Sequence, residues 1–117
     1  MPFTVIGDVI ECRIVKVCKT YCYGIIENIV SGSVERTKND CPVYSRCGGC
    51  CFRHMSYEEE CRVKEQFIKD SFERIGKLYP EYDSFEGCKQ LVGYRNKAQY
   101  PVAEQDGRAV CGFYSRR

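Results

Sequence analysis

Four of the chain's ten cysteines fall within residues 41–51, and this segment restricts the fold more than any other feature of the sequence. Cys41, Cys47 and Cys50 follow a C-x5-C-x2-C pattern, with two glycines between the last two cysteines. Two cysteines at this spacing can direct both thiolates at one metal centre, and the glycines let the backbone turn between them. We call residues 41–51 the knuckle and predict that it holds a metal.

The spacing of the knuckle leaves the kind of metal site open. Iron–sulfur clusters typically use four protein ligands, commonly three from one local run and one from far away. Zinc sites more often combine one C-x2-C pair with a second pair or with two histidines. The sequence has no second C-x2-C pair, and His54 is its only histidine. An iron–sulfur cluster, a structural zinc and a set of buried thiols all remain as interpretations at this point.

The compartment decides how the cysteines are read. The N-terminus has no basic region and reaches an acid at Asp8, which does not fit a signal peptide. No apolar run approaches the roughly 18 residues that a membrane span needs. We therefore expect a cytoplasmic protein without a membrane partner, whose cysteines stay reduced and free to bind metal. The net charge is only +2, but residues 89–117 carry six basic and two acidic side chains, which mildly favours nucleic acid.

Two segments rich in β-branched and aromatic residues predict hairpins. Residues 7–30 contain two such runs joined by a short polar connection, and a lone hairpin is marginal in water, so we expect it to belong to a larger unit. Residues 91–114 contain two runs around Asp106-Gly107, a strong hairpin turn. The polar residues 31–40 between the first hairpin and the knuckle are interpreted as a linker.

A helix follows the knuckle. Ser56 and Glu59 form a capping box at its start, and Gly76 is placed to end it. One helical stripe carries the apolar side chains Tyr57, Cys61, Ile68, Phe72 and Ile75. We expect this stripe to pack in the core. The fold class predicted is α+β, with a partial β-barrel hairpin, the knuckle, one long amphipathic helix and a C-terminal hairpin.

The knuckle and its surroundings also resemble a known family. Cys41-Pro42, Cys47-Gly48-Gly49-Cys50, His54 and Tyr57, followed by the helix, resemble the SAM-dependent uracil-C5 RNA methyltransferases, and so do Gly93-Tyr94-Arg95-Asn96-Lys97 further on. Members of this family modify uridine in 23S ribosomal RNA or in tRNA. The resemblance implies that residues 1–32 are the C-terminal part of an RNA-binding TRAM domain, an OB-like barrel. It implies that residues 33–117 are an incomplete iron–sulfur-binding central domain.

The resemblance assigns candidate cluster ligands. Cys41, Cys47 and Cys50 correspond to three ligands of the family's 4Fe–4S cluster. The fourth family ligand lies further downstream than Arg117, and Cys111 is the candidate stand-in within this sequence.

The resemblance also assigns candidate contacts to RNA and leaves catalysis unassigned. We expect Tyr94, Arg95, Asn96 and Lys97 to contact ribosomal or transfer RNA. The sequence shows no glycine-rich SAM loop and no cysteine that can be assigned as the catalytic nucleophile. We therefore expect S-adenosylmethionine to bind only the full-length enzyme, and we expect no methyl transfer by this monomeric chain alone.

Several residues keep two interpretations. His54 either shields the cluster or is structural. Tyr21 and Tyr23 either form a stacking platform for RNA or belong to the core. Two other classes of protein remain alternatives, a small RNA-binding module with structural zinc and, less favoured, a ferredoxin-like electron carrier. A chain with only part of a barrel is also expected to expose apolar surface.

Overall fold

The computed structural model describes residues 2–116 and contains two antiparallel hairpins and one helix. The elements in chain order are β1 (Val9–Val17), β2 (Cys22–Ser31), the helix α1 (Tyr57–Asp70), a π-helical turn (Ser71–Ile75), β3 (Val102–Gln105) and β4 (Arg108–Cys111). β1 pairs with β2, and β3 pairs with β4, in two separate two-stranded sheets. This arrangement confirms the α+β class. No helix in residues 2–116 combines the length and apolar character that crossing a membrane requires.

The first hairpin is long and irregular. Its register runs from Val9 opposite Ser31 to Val17 opposite Cys22, with three shifts along the way. Such bulges bend and twist a strand pair more strongly than a regular ladder does. Near its closed end, the Tyr21 and Tyr23 rings lie 5.4 Å apart edge to face and are 59% and 51% exposed. These two tyrosines therefore do not belong to the core.

The second hairpin turns as predicted but is shorter than expected. Asp106 and Gly107 have φ angles of 52° and 73°, the pair of positive values that a type I′ turn requires. Each strand has only four residues, and residues 91–101 lie outside both. Gly93 interrupts the extended run with a φ of 67°. Pro101 has no N–H to donate to a strand ladder, which ends the pairing beside Val102.

The helix starts at the predicted cap but without the complete capping box. Ser56 Oγ accepts the Glu59 N–H at 3.1 Å. The reciprocal bond is absent, because the Ser56 N–H donates to the Glu35 carbonyl at 2.8 Å and the Glu59 carboxylate accepts from Arg62 at 2.7 Å. The cap is thus built partly from the segment that precedes the knuckle, which could not be read from local spacing.

The end of the helix also differs from the prediction. The α-helix stops at Asp70 and continues as one π-helical turn, where Ser71 Oγ donates to the Phe67 carbonyl at 2.6 Å and competes with the backbone ladder. Gly76 keeps a right-handed φ of −76°, and Lys77 adopts the left-handed conformation instead, with a φ of 54°.

The core is small and does not contain the helical stripe. Among the described residues the buried apolar side chains are Val5, Tyr44 and Met55. The prediction that the stripe packs in the core was wrong, since Phe72 is 43% exposed and Ile75 is 81% exposed. The physical reason is that neither hairpin packs against the helix. The expected exposure of apolar surface is confirmed.

Residues 31–40 are held in place rather than acting as a free linker. Arg36 donates two hydrogen bonds to the Asp8 carboxylate, at 2.8 and 2.6 Å, and one to the Phe3 carbonyl at 2.7 Å. Asp8 also accepts the N–H groups of Val5 and Ser33, and its side chain is only 2% exposed. The Arg36 hydrogen bonds hold the pKa of Asp8 far below its usual range. This cluster ties the N-terminal segment to the chain leaving β2.

Candidate metal centre

The knuckle is a compact loop between residues 31–40 and the helix. Asn39 accepts the Cys41 N–H at 3.0 Å, and the Cys47 N–H donates to the Val43 carbonyl at 2.8 Å. The Gly49 N–H donates to the Cys47 sulfur at 3.3 Å. Hydrogen bonds from backbone N–H groups to cysteine sulfur are a recurring feature of iron–sulfur ligation.

The buried side chains of Tyr44 and His54 form a hydrogen-bonded pair beneath the surface of the knuckle. Tyr44 Oη lies 2.7 Å from His54 Nδ1 and 3.0 Å from the Cys51 carbonyl, and burial raises the pKa of Tyr44. His54 Nε2 lies 3.0 Å from the Thr4 carbonyl oxygen. Because a carbonyl oxygen can only accept a hydrogen bond, we place the imidazole proton on Nε2. Both ring nitrogens are therefore engaged away from the cysteines. This favours the structural interpretation of His54.

The C-terminal segment, residues 113–116, docks on the knuckle. The Gly48 N–H donates to the Tyr114 carbonyl at 2.9 Å, and Cys47 forms an antiparallel bridge with Ser115. A Cβ on Gly48 would lie 2.8 Å from the Tyr114 carbonyl oxygen, and one on Gly49 would lie 2.8 Å from the Phe113 ring. The two glycines therefore allow this close approach as well as the turn.

Arg116 anchors that segment and was missed by the sequence analysis as a site residue. Its guanidinium donates to the Cys47 carbonyl at 2.8 Å and also to the Cys50 carbonyl. The same guanidinium lies 4.5 Å from the centre of the Phe3 ring and 5.4 Å from that of Tyr44. In the sequence, Arg116 is noticeable only as one of the basic residues near the C-terminus. That does not show which groups it contacts.

The three candidate cluster ligands share one loop but do not converge. Cys41 and Cys47 are half-buried and Cys50 is exposed. The Arg53 guanidinium donates two hydrogen bonds to the Asp40 carboxylate, which raise the pKa of Arg53, and Cys41 and Cys50 lie in the neighbourhood of the same guanidinium. Within residues 2–116, however, no three His, Cys, Asp or Glu side chains are placed to hold one metal ion. The donors suit a soft metal, but this arrangement does not form a closed site.

The candidate fourth ligand lies on the second hairpin. Cys111 ends β4 opposite Val102 and is exposed. The chain returns from there to the knuckle within four residues, where Ser115 pairs with Cys47. The structure thus brings the segment after Cys111 to the knuckle, without placing its thiol among the other three.

A cleft of about 860 Å³ adjoins the knuckle. It lies between the knuckle, the first half of α1 and residues 88–95, and Cys50, Tyr94 and Arg95 are among the side chains that line it. Arg95 lies 5.7 Å from the centre of the Tyr94 ring. Asn96 and Lys97 are exposed and do not line the cleft. The four predicted RNA contacts are thus divided between the cleft and the open surface.

Comparison with known proteins identifies the relatives of the chain. No protein-family model matches the sequence. A protein from Clostridium tetani named as an uncharacterized RNA methyltransferase is 37% identical over 113 residues, which is 97% of this chain and 25% of that protein. A protein of the same name from Halalkalibacterium halodurans is 38% identical over 118 residues, covering 100% of the chain and 26% of the relative.

The similarity extends beyond these two bacteria. A Thermosynechococcus vestitus protein, also named as an uncharacterized RNA methyltransferase, is 34% identical over 97% of the chain. The chain spans about a quarter of the length of the curated relatives that it matches. The chain is therefore similar along almost its whole length to proteins named RNA methyltransferases, as its knuckle and downstream segment led us to expect.

Proposed function

We propose that this chain is the RNA-recognising and cluster-binding part of a SAM-dependent uracil-C5 RNA methyltransferase that acts on 23S ribosomal RNA. The observation that carries this proposal is the similarity to named RNA methyltransferases along 97 to 100% of the chain. In this proposal residues 1–32 belong to a TRAM-like domain and residues 33–117 to a central domain. S-adenosylmethionine binds elsewhere in the full-length enzyme, and we assign no catalytic residue here.

The proposed cofactor of this chain is a 4Fe–4S cluster on Cys41, Cys47 and Cys50, with Cys111 as the candidate fourth ligand. Three features support it, namely three thiols on one loop, the hydrogen bond to the Cys47 sulfur and the anchoring of the loop by Arg116. Because the three thiols do not converge as placed, loading requires the loop to close around the cluster. A bound cluster would cross-link the knuckle, and its thiolates need a reducing compartment, so we propose the cytoplasm.

Anaerobic purification followed by iron, sulfide and zinc analysis tests the cofactor. We expect a brown protein with a broad absorption band near roughly 400 nm and close to four irons per chain. Alanine at Cys41, Cys47 or Cys50 should abolish that band, whereas alanine at Cys12, an exposed cysteine of the first hairpin, should leave it unchanged. A colourless protein with one zinc per chain would replace this proposal with an RNA-binding module held by structural zinc.

The fourth ligand is tested in the same series. Replacing Cys111 with alanine should lower the iron content and make the band bleach faster in air, because one iron then lacks a protein ligand. Unchanged iron content and air stability would remove Cys111 from the proposal. The same measurement on a Cys88→Ala variant would show whether that thiol, which lines the cleft with Cys50, takes the place instead.

The RNA partner is tested by binding measurements on the same protein. Fluorescence anisotropy with labelled fragments of 23S ribosomal RNA and with tRNA, each at two salt concentrations, measures the affinity and its electrostatic part. We expect tighter binding to the ribosomal fragments. Binding to neither class would overturn the proposed role in RNA recognition.

A further inference from the structure

We infer that the cleft beside the knuckle binds an unpaired nucleotide of the RNA, with the base against its aromatic side chains and the phosphates at Lys38 and Arg95. This inference rests on the proposed function and adds to it the place and the chemistry of the contact. It also predicts that RNA covers thiols of the cleft that the proposed cluster does not use.

The walls of the cleft provide surfaces on which a base can stack. Three aromatic side chains line it, namely Phe52 directly after the knuckle, Tyr57 on the helix and Tyr94 on the downstream segment. Tyr57 is held in place because its hydroxyl oxygen accepts the Cys88 N–H at 2.5 Å. Proteins recognise single-stranded RNA by stacking unpaired bases on aromatic side chains, and every base has a face suited to this contact.

The charges of the cleft leave a positive surplus at its rim. Four basic and two acidic side chains line it, and two of the basic side chains are neutralised within it. Arg53 is paired with Asp40 at 2.7 Å, and Lys64 with Glu60 at 2.5 Å.

The remaining two cations of the rim, Lys38 and Arg95, carry the surplus. Neither has a carboxylate partner within the part of the chain that the structure describes. Unpaired cations at the edge of an aromatic cleft fit the alternation of phosphates and bases along a single strand. An apolar ligand would not need them.

The cysteines provide a direct test, because some line the cleft and others lie elsewhere. Cys51 and Cys88 are exposed and line the cleft, whereas Cys111 and Cys12 are exposed on the two hairpins. The full chain is alkylated with a maleimide in the presence and absence of an oligouridylate, and the rate at each cysteine is followed by mass spectrometry. When nine-tenths of the protein is bound, we expect the rates at Cys51 and Cys88 to fall about tenfold, because alkylation then requires free protein. The rate at Cys12, which lies outside the cleft and is not a proposed ligand, should not change.

A pair of charge-matched variants tests the phosphate contact. Arg95→Gln should weaken oligouridylate binding and reduce the salt slope by about 1. Lys77→Gln removes the same charge from an exposed position outside the cleft and should change neither quantity. Tyr94→Ala should weaken binding roughly tenfold through lost stacking.

The outcomes separate this inference from the proposed function. If the wild-type chain binds RNA but all cysteines are protected equally, or if Arg95→Gln behaves like Lys77→Gln, the cleft is not the contact and the RNA role stands. If the wild-type chain binds neither the oligouridylate nor the ribosomal fragments, both proposals are overturned.

Discussion

Arg116 holds the knuckle in a way that depends on the planar shape of its guanidinium. The group lies near the rings of Phe3 and Tyr44, while its N–H groups donate to the carbonyls of Cys47 and Cys50. Lysine keeps the charge but has neither the fork of donors nor the flat face. We expect Arg116→Lys to lower the free energy of unfolding by about 1–2 kcal/mol, as measured by urea unfolding.

The matched control for this prediction is Arg46→Lys. Arg46 is exposed and takes part in the docking only through its backbone carbonyl, which accepts the Arg116 N–H at 2.8 Å. Its substitution should leave the unfolding curve unchanged. Equal stability of both variants and the wild type would show that Arg116 does not anchor the knuckle.

The contribution of Asp8 to the free energy of unfolding depends on pH. Its pKa is lowered in the folded state, chiefly by the Arg36 hydrogen bonds. The stabilisation is therefore fully present above the pKa of the unfolded state, about 4, and is lost as the pH falls toward the folded value. We expect Asp8→Asn to lower the free energy of unfolding by about 3 kcal/mol at neutral pH, because it breaks a buried ion pair. The difference from wild type should shrink below about pH 4.

The exposed pair Asp40–Arg53 provides the control for Asp8. The Asp40 side chain is 74% exposed, so solvent screens its attraction to Arg53. Asp40→Asn should change the unfolding curve far less than Asp8→Asn at neutral pH, and the two variants should become similar as the pH falls below about 4. A pH-independent difference between wild type and Asp8→Asn would contradict the linkage to the Asp8 carboxylate.

Among single residues, the sequence revealed those that are recognised from the spacing of near neighbours in the chain. The cysteine spacing marked Cys41, Cys47 and Cys50, and the cap was visible because Ser56 and Glu59 are three positions apart. Asp8 and Arg36 are separated by 28 positions, and nothing in the composition of either neighbourhood pairs them. Whether the three thiols bind iron stays a prediction, because their identity shows what they can bind but not how the loop closes.

At the scale of elements, the docking of the C-terminal segment depends on glycine. A Cβ on Gly48 meets a backbone carbonyl oxygen at 2.8 Å, and backbone cannot move aside as a flexible side chain can. We expect Gly48→Ala to cost about 1–3 kcal/mol of stability, which is the usual range for overpacking. Hydrogen exchange at position 48 should become faster, because its N–H loses the bond to Tyr114.

Gly112→Ala is the control for this element. No atom lies within 4 Å of the position that its Cβ would take. The substitution adds the same methyl group at the residue that follows β4. It should leave both the unfolding curve and the exchange rate at position 48 unaltered. If Gly112→Ala destabilises the protein as much as Gly48→Ala does, the loss comes from glycine's backbone freedom and not from the docking contact.

The elements themselves were predictable where turns and caps define them. Asp106-Gly107 predicted the second hairpin, and Ser56 predicted the start of the helix. The partners of each element were not predictable, because the periodic stripe of Phe72 and Ile75 shows only that a helix has an apolar face. It does not show whether another element of the chain covers that face.

At the scale of the whole molecule, the protein is expanded for its length. Its radius of gyration is 17.8 Å, whereas a compact domain of about 100 residues has one near 13 Å. The exposed apolar side chains on both hairpins and on the helix agree with this shape. A molecule with so small a core must draw much of its stability from other sources, which here are the Asp8–Arg36 cluster and the knuckle.

If the knuckle holds the proposed cluster, metal content is linked to the stability of the whole molecule. A metal that binds the folded state but not the unfolded state stabilises the folded state. Small domains with metal sites commonly depend on this stabilisation. We expect the cluster-loaded protein to melt cooperatively, and removal of the iron by a chelator under oxidising conditions to lower the melting temperature by roughly 10 °C or more, equivalent to a few kcal/mol.

A variant with serine at Cys41, Cys47 and Cys50 is the control for this prediction. It should melt at the temperature of the iron-free protein, and the chelator should not change that temperature, because it has no cluster to lose. If removal of the iron leaves the wild-type melting temperature unchanged, the knuckle does not stabilise the fold through its metal. The stability would then reside in the Asp8–Arg36 cluster and the contacts of Arg116, which the Asp8→Asn and Arg116→Lys variants measure separately.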